Sequence, residues 1–389
     1  MTLAFLLYKY FPYGGMQRDF MRFLSACRER GHDTRVYYIE WQGERPDGVD
    51  LRQVPVAAAS NHTRNERYYD WVRTDLEKAP VDGVVGFNKM PGLDVYYAAD
   101  SCYLDKAYRE RSWLYRLGPR FRHFSRYEAA VFGSDSDTRI LLISETERNK
   151  FEHYYATPAA RMRMLPPGID ADRRAGADAA GRRASKRVEL ALGEDEPALL
   201  FVGSGFIKKG LDRAIRALAA ASQEAHVSGL QLFVVGQDTE RRFRQLAKRL
   251  GVADSVHFLG GRDDIPDLLL AADLLVHPAL DEAAGIVLLE ALVAGLPALV
   301  TDVCGYAHHI AASGAGSVLA SPFRQQDLDA AVLAGLDASY RERCRTAGLA
   351  YAEHEDLYSM HETGAGWIEE WVAEKRAGLA HAGNGFHGQ

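Results

Sequence analysis

The stretch ADLLVHPALDEAAGIVLLEALVAGLPALVTDV, residues 272–303, decides the fold. It reads as strand, loop, helix, strand. The runs ADLLVHPAL (272–280) and PALVTDV (297–303) are short and apolar, which is the mark of strands buried on both faces of a parallel sheet. Between them, every position from 285 to 294 is apolar or Gly except Glu290. A helix that is apolar all round is a buried helix, and a charged residue is rarely buried without a partner. Glu290 therefore reaches something polar: an Arg or Lys elsewhere in the core, or a ligand with paired hydroxyls. Glu282 lies in the loop before the helix. Helix N-termini in α/β proteins attract phosphate through their dipole and their free N–H groups. Strand, carboxylate loop, helix N-terminus and buried carboxylate together raise the expectation of a phosphate-bearing, hydroxyl-rich ligand.

The same alternation extends in both directions. ALLFVGS (198–204), LQLFVVG (230–236) and VHFLGG (256–261) precede this stretch, and GSVLA (316–320) follows it. Nearer the N-terminus, TLAFLLY (2–8), TRVYYIE (34–40), VDGVVGFNK (81–89), LDVYYAAD (93–100) and RILLIS (139–144) read as strands, with a helix pattern over 16–30. Strands alternating with helices predict parallel sheets with helices on both faces. The fold class is therefore α/β, with two doubly wound, Rossmann-like domains facing across a cleft. Ligands bind such sheets outside the carboxyl ends of the strands. The chain's 389 residues suit two domains. Pro166-Pro167-Gly168 marks the boundary, giving domains at 1–168 and 169–360. A helix over about 361–377 is expected to pack back onto the first domain, and the small polar tail at 378–389 is expected to be disordered. A polar, Ala/Arg-rich spacer occupies 170–197.

Composition narrows the class. With 47% hydrophobic and 26% charged residues the chain is typical of a soluble globular enzyme. A net charge of −6 argues against a nucleic-acid binder. The four cysteines include no C-x-x-C pair, so neither a zinc site nor a disulfide framework is expected, and the compartment is expected to be reducing. No run approaches the roughly 18 apolar residues of a membrane span. The apolar start ends at Tyr8-Lys9, too short for a signal sequence, and reads as a buried first strand. The expected location is the cytosol, with contact at a membrane surface left open.

Two glycine loops follow first strands. Gly14-Gly15 opens a helix after the first strand of domain one; glycines there let backbone approach a ligand and leave N–H groups for an anion. The loop GSGFIKKG (203–210) in domain two ends in Lys208 and Lys209, well placed to neutralise a diphosphate. Neither loop has the G-x-G-x-x-G or G-x-x-x-x-G-K-[ST] form, which disfavours a dinucleotide-dependent dehydrogenase and a P-loop. Asp135-Ser136-Asp137 is the form in which some sugar transferases hold a divalent metal, but FGSDSDT is also a turn and cap sequence, and the turn is preferred. The histidines show no metal-binding spacing, and no G-x-S-x-G elbow occurs. The segment 103–132 carries seven Lys/Arg, three Asp/Glu and eight aromatic residues. Basic residues interleaved with aromatics suit an anionic, amphiphilic interface; the alternative is a surface helix pair with snorkelling arginines.

Taken together, E-x7-E at Glu282 and Glu290, Gly14-Gly15, and Lys209-Gly210 resemble the retaining, nucleotide-sugar-dependent glycosyltransferases of the GT-B fold, family 4. YKYFPYGGMQRDFMRF, NHTRNERYY, VVGFNKMPGLDVYYAAD, LPPGID, FVVGQD and HPALDEAAGIVLLEALVAGLPALVTDVCGYAHHI are similar to the branch that glucosylates lipopolysaccharide core heptose in Gram-negative bacteria. The likeness covers roughly 1–373. It implies that the Gly14-Gly15 backbone lies near a donor diphosphate and that Lys209 pairs with it. It implies that Glu282 accepts from donor-sugar hydroxyls, that the backbone of Ala284, Gly285, Ile286 and Val287 meets sugar and phosphate, and that Glu290 binds both ribose hydroxyls. The Arg262 backbone is implied to read the uracil edge. Two positions depart from the family. Ser204 stands where many relatives carry Arg, so a diphosphate cation is missing or supplied by Lys208. Asp100 stands where relatives often carry His; it and Asp19 are the candidates to face the anomeric carbon or take the acceptor proton.

The resemblance implies a UDP-hexose donor, most simply UDP-glucose, and transfer without metal or cofactor to a phosphorylated inner-core heptose of lipopolysaccharide, building the outer core. It places the acceptor near 61–69 and 103–132, the latter also contacting the inner leaflet. The leaving diphosphate would be stabilised by Lys209, glycine-loop amides and a helix N-terminus. The alternatives are a UDP-galactose or UDP-N-acetylhexosamine donor, a GT-B nucleotide-sugar epimerase, and a non-catalytic membrane-surface binding protein. Small Ala283 and Ala284 leave room for an N-acetyl group.

Overall fold

Both halves of the chain wind the same way. A computed structural model describes residues 1–12 and 14–384. The chain divides into one unit of Met1–Gly168 with the stretch from Ser359 onward, and a second unit of Ile169–Tyr358.

Unit one begins with β1 (Thr2–Leu6), β2 (Lys9–Tyr10), α1 (Gly15–Glu29), β3 (Asp33–Tyr38), β4 (Glu40–Trp41), β5 (Asp50–Gln53) and α2 (Asn61–Lys78). It continues through β6 (Gly83–Gly86), β7 (Val95–Ala98), α3 (Tyr103–Glu110), α4 (Pro119–Phe132), β8 (Arg139–Leu142), α5 (Glu145–Tyr155) and β9 (Met162–Met164). Its main sheet has the order β5-β3-β1-β6-β7-β8-β9, and every pairing is parallel. Central strands are apolar because both faces are covered: Phe5, Tyr96, Tyr97, Ile140 and Leu141 are fully buried. The rings of Phe132 on α4 and Phe151 on α5 stack at 3.6 Å between centroids. Burying side chains of this size contributes about 1.5–3 kcal/mol each.

Unit two runs α6 (Ala179–Glu189), β10 (Ala198–Val202), α7 (Leu211–Ala221), β11 (Gln231–Val235), α8 (Arg241–Arg249), β12 (Val256–Gly260) and α9 (Ile265–Ala271). Then come β13 (Leu274–His277), α10 (Ile286–Ala294), β14 (Ala298–Thr301), α11 (Ala307–Ser313), β15 (Gly316–Leu319), α12 (Gln325–Gly335) and α13 (Ala338–His354). The sheet order is β12-β11-β10-β13-β14-β15, again all parallel. On α7, Leu211, Ala214, Ile215 and Leu218 recur at helical spacing and are fully buried. α10 lies as its composition demands: every residue from Val287 to Ala294 is buried, Glu290 included.

In each sheet the strand order reverses beside the first strand of the unit, between β1 and β6 and between β10 and β13. Loops leaving the carboxyl ends of those neighbours diverge and open a crevice, the usual ligand position in doubly wound sheets.

All strands read from the sequence are present. β2, β4, β5 and β9 were not read from it. β5 and β9 are the edges of the first sheet, short and half solvated, so they lack the apolar run of a central strand. The spacer at 170–197 is also structured. Its α6 packs against α9, and Arg183 and Arg187 hold Asp273 at the start of β13. At the other end, α14 (Met360–Asn384) runs beside α1 within unit one. This corrects the tail expected to be disordered: the helix continues through 378–384, and 385–389 lie outside the described residues.

Candidate active site

In unit two, the loops on either side of the strand reversal are joined. Lys209 in the loop after β10 forms an ion pair with Glu282 in the loop after β13. The same loops share a backbone bond, Leu280 N to Lys208 O at 2.7 Å. Gly210 sits where only glycine fits: its φ is +75°, and a Cβ would lie 2.0 Å from the Pro278 carbonyl oxygen. That close approach brings Lys209 onto Glu282.

The surroundings of the pair are dry. Glu282 and Lys209 side chains are 13% and 22% exposed. Burial pushes the Lys209 ammonium down to about 8, and the neighbouring Lys208 charge acts the same way. Cys304 and Asp281 oppose that shift, and the Glu282 carboxylate is the partner a buried ammonium requires. His277, the last residue of β13, lies beneath, with Nε2 3.5 Å from Glu282. Burial and then the Lys209 charge push this imidazole down to about 3, so it stands neutral under the pair.

Glu282 leads into α10 through Ala284 and Gly285, the helix N-cap, which adopts φ +86°. The N-terminus of α10 has no side-chain cap, so its first N–H groups point at whatever occupies the loop. Tyr306 N and Gly305 N donate to the carbonyls of Ala284 and Glu282 and fix the loop from the far side.

Glu290, one turn into α10, has the arginine partner that its burial allowed as one reading. Arg173 Nε lies 3.6 Å from Glu290 Oε1 and also faces Asp170 and Asp172. Sequence reasoning missed Arg173 because it sits in an Arg-rich, aperiodic stretch with no signal to single it out. Lys208, by contrast, is 58% exposed and faces Asp281 at 3.6 Å. Arg262 follows β12; its guanidinium binds Asp264 and Glu189. That guanidinium, with Lys186, holds the Asp264 carboxyl well below the usual range, so the Arg262 side chain is committed and its backbone is left as the presenting group.

In unit one, Gly14 caps α1 without a side-chain hydrogen bond, and Gly15 is the first helical residue. A Cβ on Gly14 would meet Gln17 Oε1 at 1.9 Å, whereas one on Gly15 would meet nothing within 4 Å. Asp100 lies exposed just beyond β7. Asp19 is buried, with one carboxylate oxygen accepting from Tyr97 OH at 2.7 Å and the other 3.0 Å from His361 Nε2. Both oxygens of this candidate base are thus engaged.

The segment 103–132 folds as α3, a 3-10 turn over Trp113–Leu117, and α4. Tyr108, Trp113, Leu114 and Leu117 make up half of the exposed large hydrophobic side chains among the described residues. Arg116 stacks over Tyr108 at 4.6 Å, and Arg120 over Phe124 at 5.4 Å. Asp135 lies in a turn after α4. Among the described residues no three His, Cys, Asp or Glu side chains are grouped to hold a metal ion, and no helix is long and apolar enough to cross a membrane. All four cysteines are buried and free.

Two doubly wound sheets, each open at a strand reversal, with a lysine–glutamate pair and an uncapped helix N-terminus at one of them, define a hexosyltransferase of the GT-B fold. The chain belongs to family 4 of these glycosyltransferases, among the lipopolysaccharide core glucosyltransferases. Residues 13–173 match the family described as Glycosyltransferase Family 4, and residues 182–349 match Glycosyl transferases group 1. The chain is 48% identical over 366 residues to the lipopolysaccharide glucosyltransferase WaaG of Escherichia coli strain K12, spanning 94% of this chain and 98% of that one. The crystal structure of WaaG, a glycosyltransferase involved in lipopolysaccharide biosynthesis, is similar with a TM-score of 0.89 at 47% identity, over 94% of this chain and 99% of that one. Anabaena HepE in complex with UDP and glucose shares the fold, with a TM-score of 0.71 at 18% identity over 95% of this chain and all of that one.

Proposed function

We propose that the protein transfers glucose from UDP-glucose, with retention, to an inner-core heptose of lipopolysaccharide, working at the inner face of the cytoplasmic membrane. The observation that carries the reading is the buried Lys209–Glu282 pair across the strand reversal of unit two. A buried ammonium and carboxylate that neutralise each other are ready to be exchanged for ligand groups. The diphosphate of the donor takes Lys209, and Glu282 is freed to accept from sugar hydroxyls. Glu290 undergoes the same exchange: ribose hydroxyls replace Arg173, which keeps Asp170 and Asp172 as partners.

When the glycosidic bond breaks, negative charge grows on the diphosphate. Lys209 and the uncapped N-terminus of α10, presented by Ala284, Gly285, Ile286 and Val287, stabilise that charge in a dry site, where such stabilisation is strongest. We assign the Gly14-Gly15 backbone and Lys208 to the same diphosphate, and the Arg262 backbone to the base. Asp100, exposed beyond β7, is assigned to the reacting sugar or the acceptor hydroxyl. Asp19, with both oxygens engaged, serves better to hold α1 against Tyr97 and His361. The exposed aromatic and basic residues of 103–132 suit an anionic lipid surface and a phosphorylated acceptor.

The test is UDP release from a panel of UDP-hexoses, with core-truncated lipopolysaccharide ending in heptose as acceptor. Acceptor-dependent turnover fastest with UDP-glucose, unaffected by EDTA and reduced about 100-fold or more in Glu282→Ala, is the expected result. Absence of turnover while UDP still binds would refute the acceptor. Absence of UDP binding would refute the donor site itself.

A further inference from the structure

The turn that carries Asp100 is held by charges from elsewhere in unit one. After β7 the chain enters α3, whose N-cap is Cys102 and makes no side-chain cap. The backbone groups of 101–104 are instead bonded to buried ionic side chains. Cys102 N donates to Glu147 Oε2 on α5 at 2.6 Å. Tyr103 N and Leu104 N donate to the two oxygens of Glu128 on α4 at 2.7 and 3.0 Å. Lys89, in the loop after β6, donates from Nζ to Ser101 O at 2.9 Å and to Glu128 Oε1 at 2.5 Å. Tyr155 OH completes Glu128 at 2.6 Å, and Lys150 compensates Glu147 at 2.6 Å. Glu128 is wholly buried and Glu147 nearly so.

Magnitudes argue that this set exists for more than stability. A single Ser or Asp at the N-cap would satisfy a free amide and contribute about 1 kcal/mol. Removing a carboxylate from water costs several kcal/mol, so a buried ion pair adds little net stability even when fully hydrogen-bonded. What buried, fully bonded charges supply is fixed geometry. The residue next to the fixed stretch is Asp100. The Lys89 ammonium, which burial pushes down, ends above its ordinary value because the Glu128 and Asp100 carboxylates face it.

We propose that Glu128 and Lys89 are positioning residues of the transferase: they lock the backbone of 101–104 and thereby aim the Asp100 carboxylate. The proposal rests on the assignment of Asp100 made above. Glu128 also belongs to the 103–132 segment, so one carboxylate ties the amphiphilic surface to the reactive turn.

A four-member cycle of wild type, Asp100→Asn, Glu128→Gln and the double variant tests it, reading kcat and the UDP-glucose KM separately. Misplacing a reacting group by an ångström costs up to about 100-fold, so Glu128→Gln is expected to lower kcat about 10- to 100-fold with donor KM held within about twofold. In the Asp100→Asn background the same change is expected to alter kcat by less than about twofold. Loss of the same factor in both backgrounds would overturn positioning while leaving Asp100 in its role. Wild-type kcat in Asp100→Asn would instead remove the Asp100 assignment, and the proposal with it. If Glu128→Gln does not fold, Tyr155→Phe, which removes one donor to Glu128, enters the same cycle with an expected loss of about threefold and the same criterion.

Discussion

The two sheets offer the same crevice and fill it differently. In unit two the loops flanking the reversal meet through Lys209 and Glu282, side chains joined directly across the opening. In unit one the loop after β1 carries the bare glycines Gly14-Gly15, and the loops after β6 and β7 carry Lys89 and Asp100. There the ionic groups are buried behind the backbone rather than placed across the crevice. Strand order decides where a ligand can sit, and loop chemistry differs between the two: a side-chain ion pair in unit two, bare glycines and a buried ionic turn in unit one.

The largest expected effect comes from breaking the pair that distinguishes unit two. Lys209→Ala removes the cation we assign to the leaving diphosphate and is expected to lower kcat about 100- to 1000-fold in steady-state UDP release. Its titration gives a sharper test. The folded-state value is about 8 against an ordinary 10.5, lowered first by burial. Between those pH values the unfolded chain holds the proton and the folded chain does not, so the ligand-free protein gains stability as pH rises through the window, and the charged form costs stability below it. A diphosphate favours the charged form. UDP affinity is therefore expected to be flat below pH 8 and to weaken by up to about tenfold per pH unit above it, read by titration calorimetry. Lys209→Arg, charged throughout, is expected to abolish that slope. A slope that persists in the arginine variant would assign the titration to another group.

The same contrast explains what was legible in the sequence. Unit two's candidate residues were legible because each stands out from its immediate neighbours: an apolar helix with one carboxylate, a second carboxylate in the loop before it, and a glycine loop with lysines after a first strand. Each is a local violation of the pattern around it, and such violations collect at functional sites. Unit one's network was not readable. Lys89, Glu128 and Glu147 lie in different elements, and each looks like a solvated charge until the fold buries it. Arg173 failed for the same reason, as one of several arginines in a polar spacer. The edge strands β5 and β9 carry no apolar run because one of their sides has no neighbour. The end of α14 was misjudged because small residues from Gly378 onward resemble a tail, while contacts with α1 begin earlier in the helix.

A second contrast lies inside unit one, between its buried ionic turn and its exposed aromatic arm. If the arm docks on lipid, its arginines contribute without touching the chemistry. Arg109, Arg116 and Arg120 belong to the segment that exposes Tyr108, Trp113 and Leu117, with Arg116 stacked over Tyr108 and Arg120 over Phe124. Each basic residue near an anionic surface contributes about 1 kcal/mol, so reversing all three to Glu is expected to weaken binding to phosphatidylglycerol vesicles about 100-fold or more in a sedimentation assay. kcat at saturating detergent-dispersed acceptor is expected to stay within about twofold of wild type. Unchanged vesicle binding would return the segment to the role of a surface helix pair with snorkelling arginines.

The smallest expected effect separates a glycine needed by the fold from one needed by a ligand. Gly210 fits against the Pro278 carbonyl, so alanine there disturbs the backbone directly, whereas a Cβ on Gly14 would displace the side chains of Gln17 and Phe11. Gly15 has open space where a Cβ would go, and its helical position suits alanine. Gly15→Ala therefore reduces the freedom of the unfolded chain with no cost in the folded one and is expected to stabilise by about 0.4–1 kcal/mol, raising Tm by roughly 2 °C in a calorimetric scan. If that space is where a diphosphate meets the backbone, the methyl group holds the ligand off, and the UDP-glucose KM is expected to rise about three- to tenfold in the stabilised protein. A higher Tm with KM unchanged would make Gly15 part of an ordinary helix start and leave the α1 N-terminus without a role in donor binding. Stability and affinity moving in opposite directions on one added carbon is an outcome that a purely structural glycine does not produce.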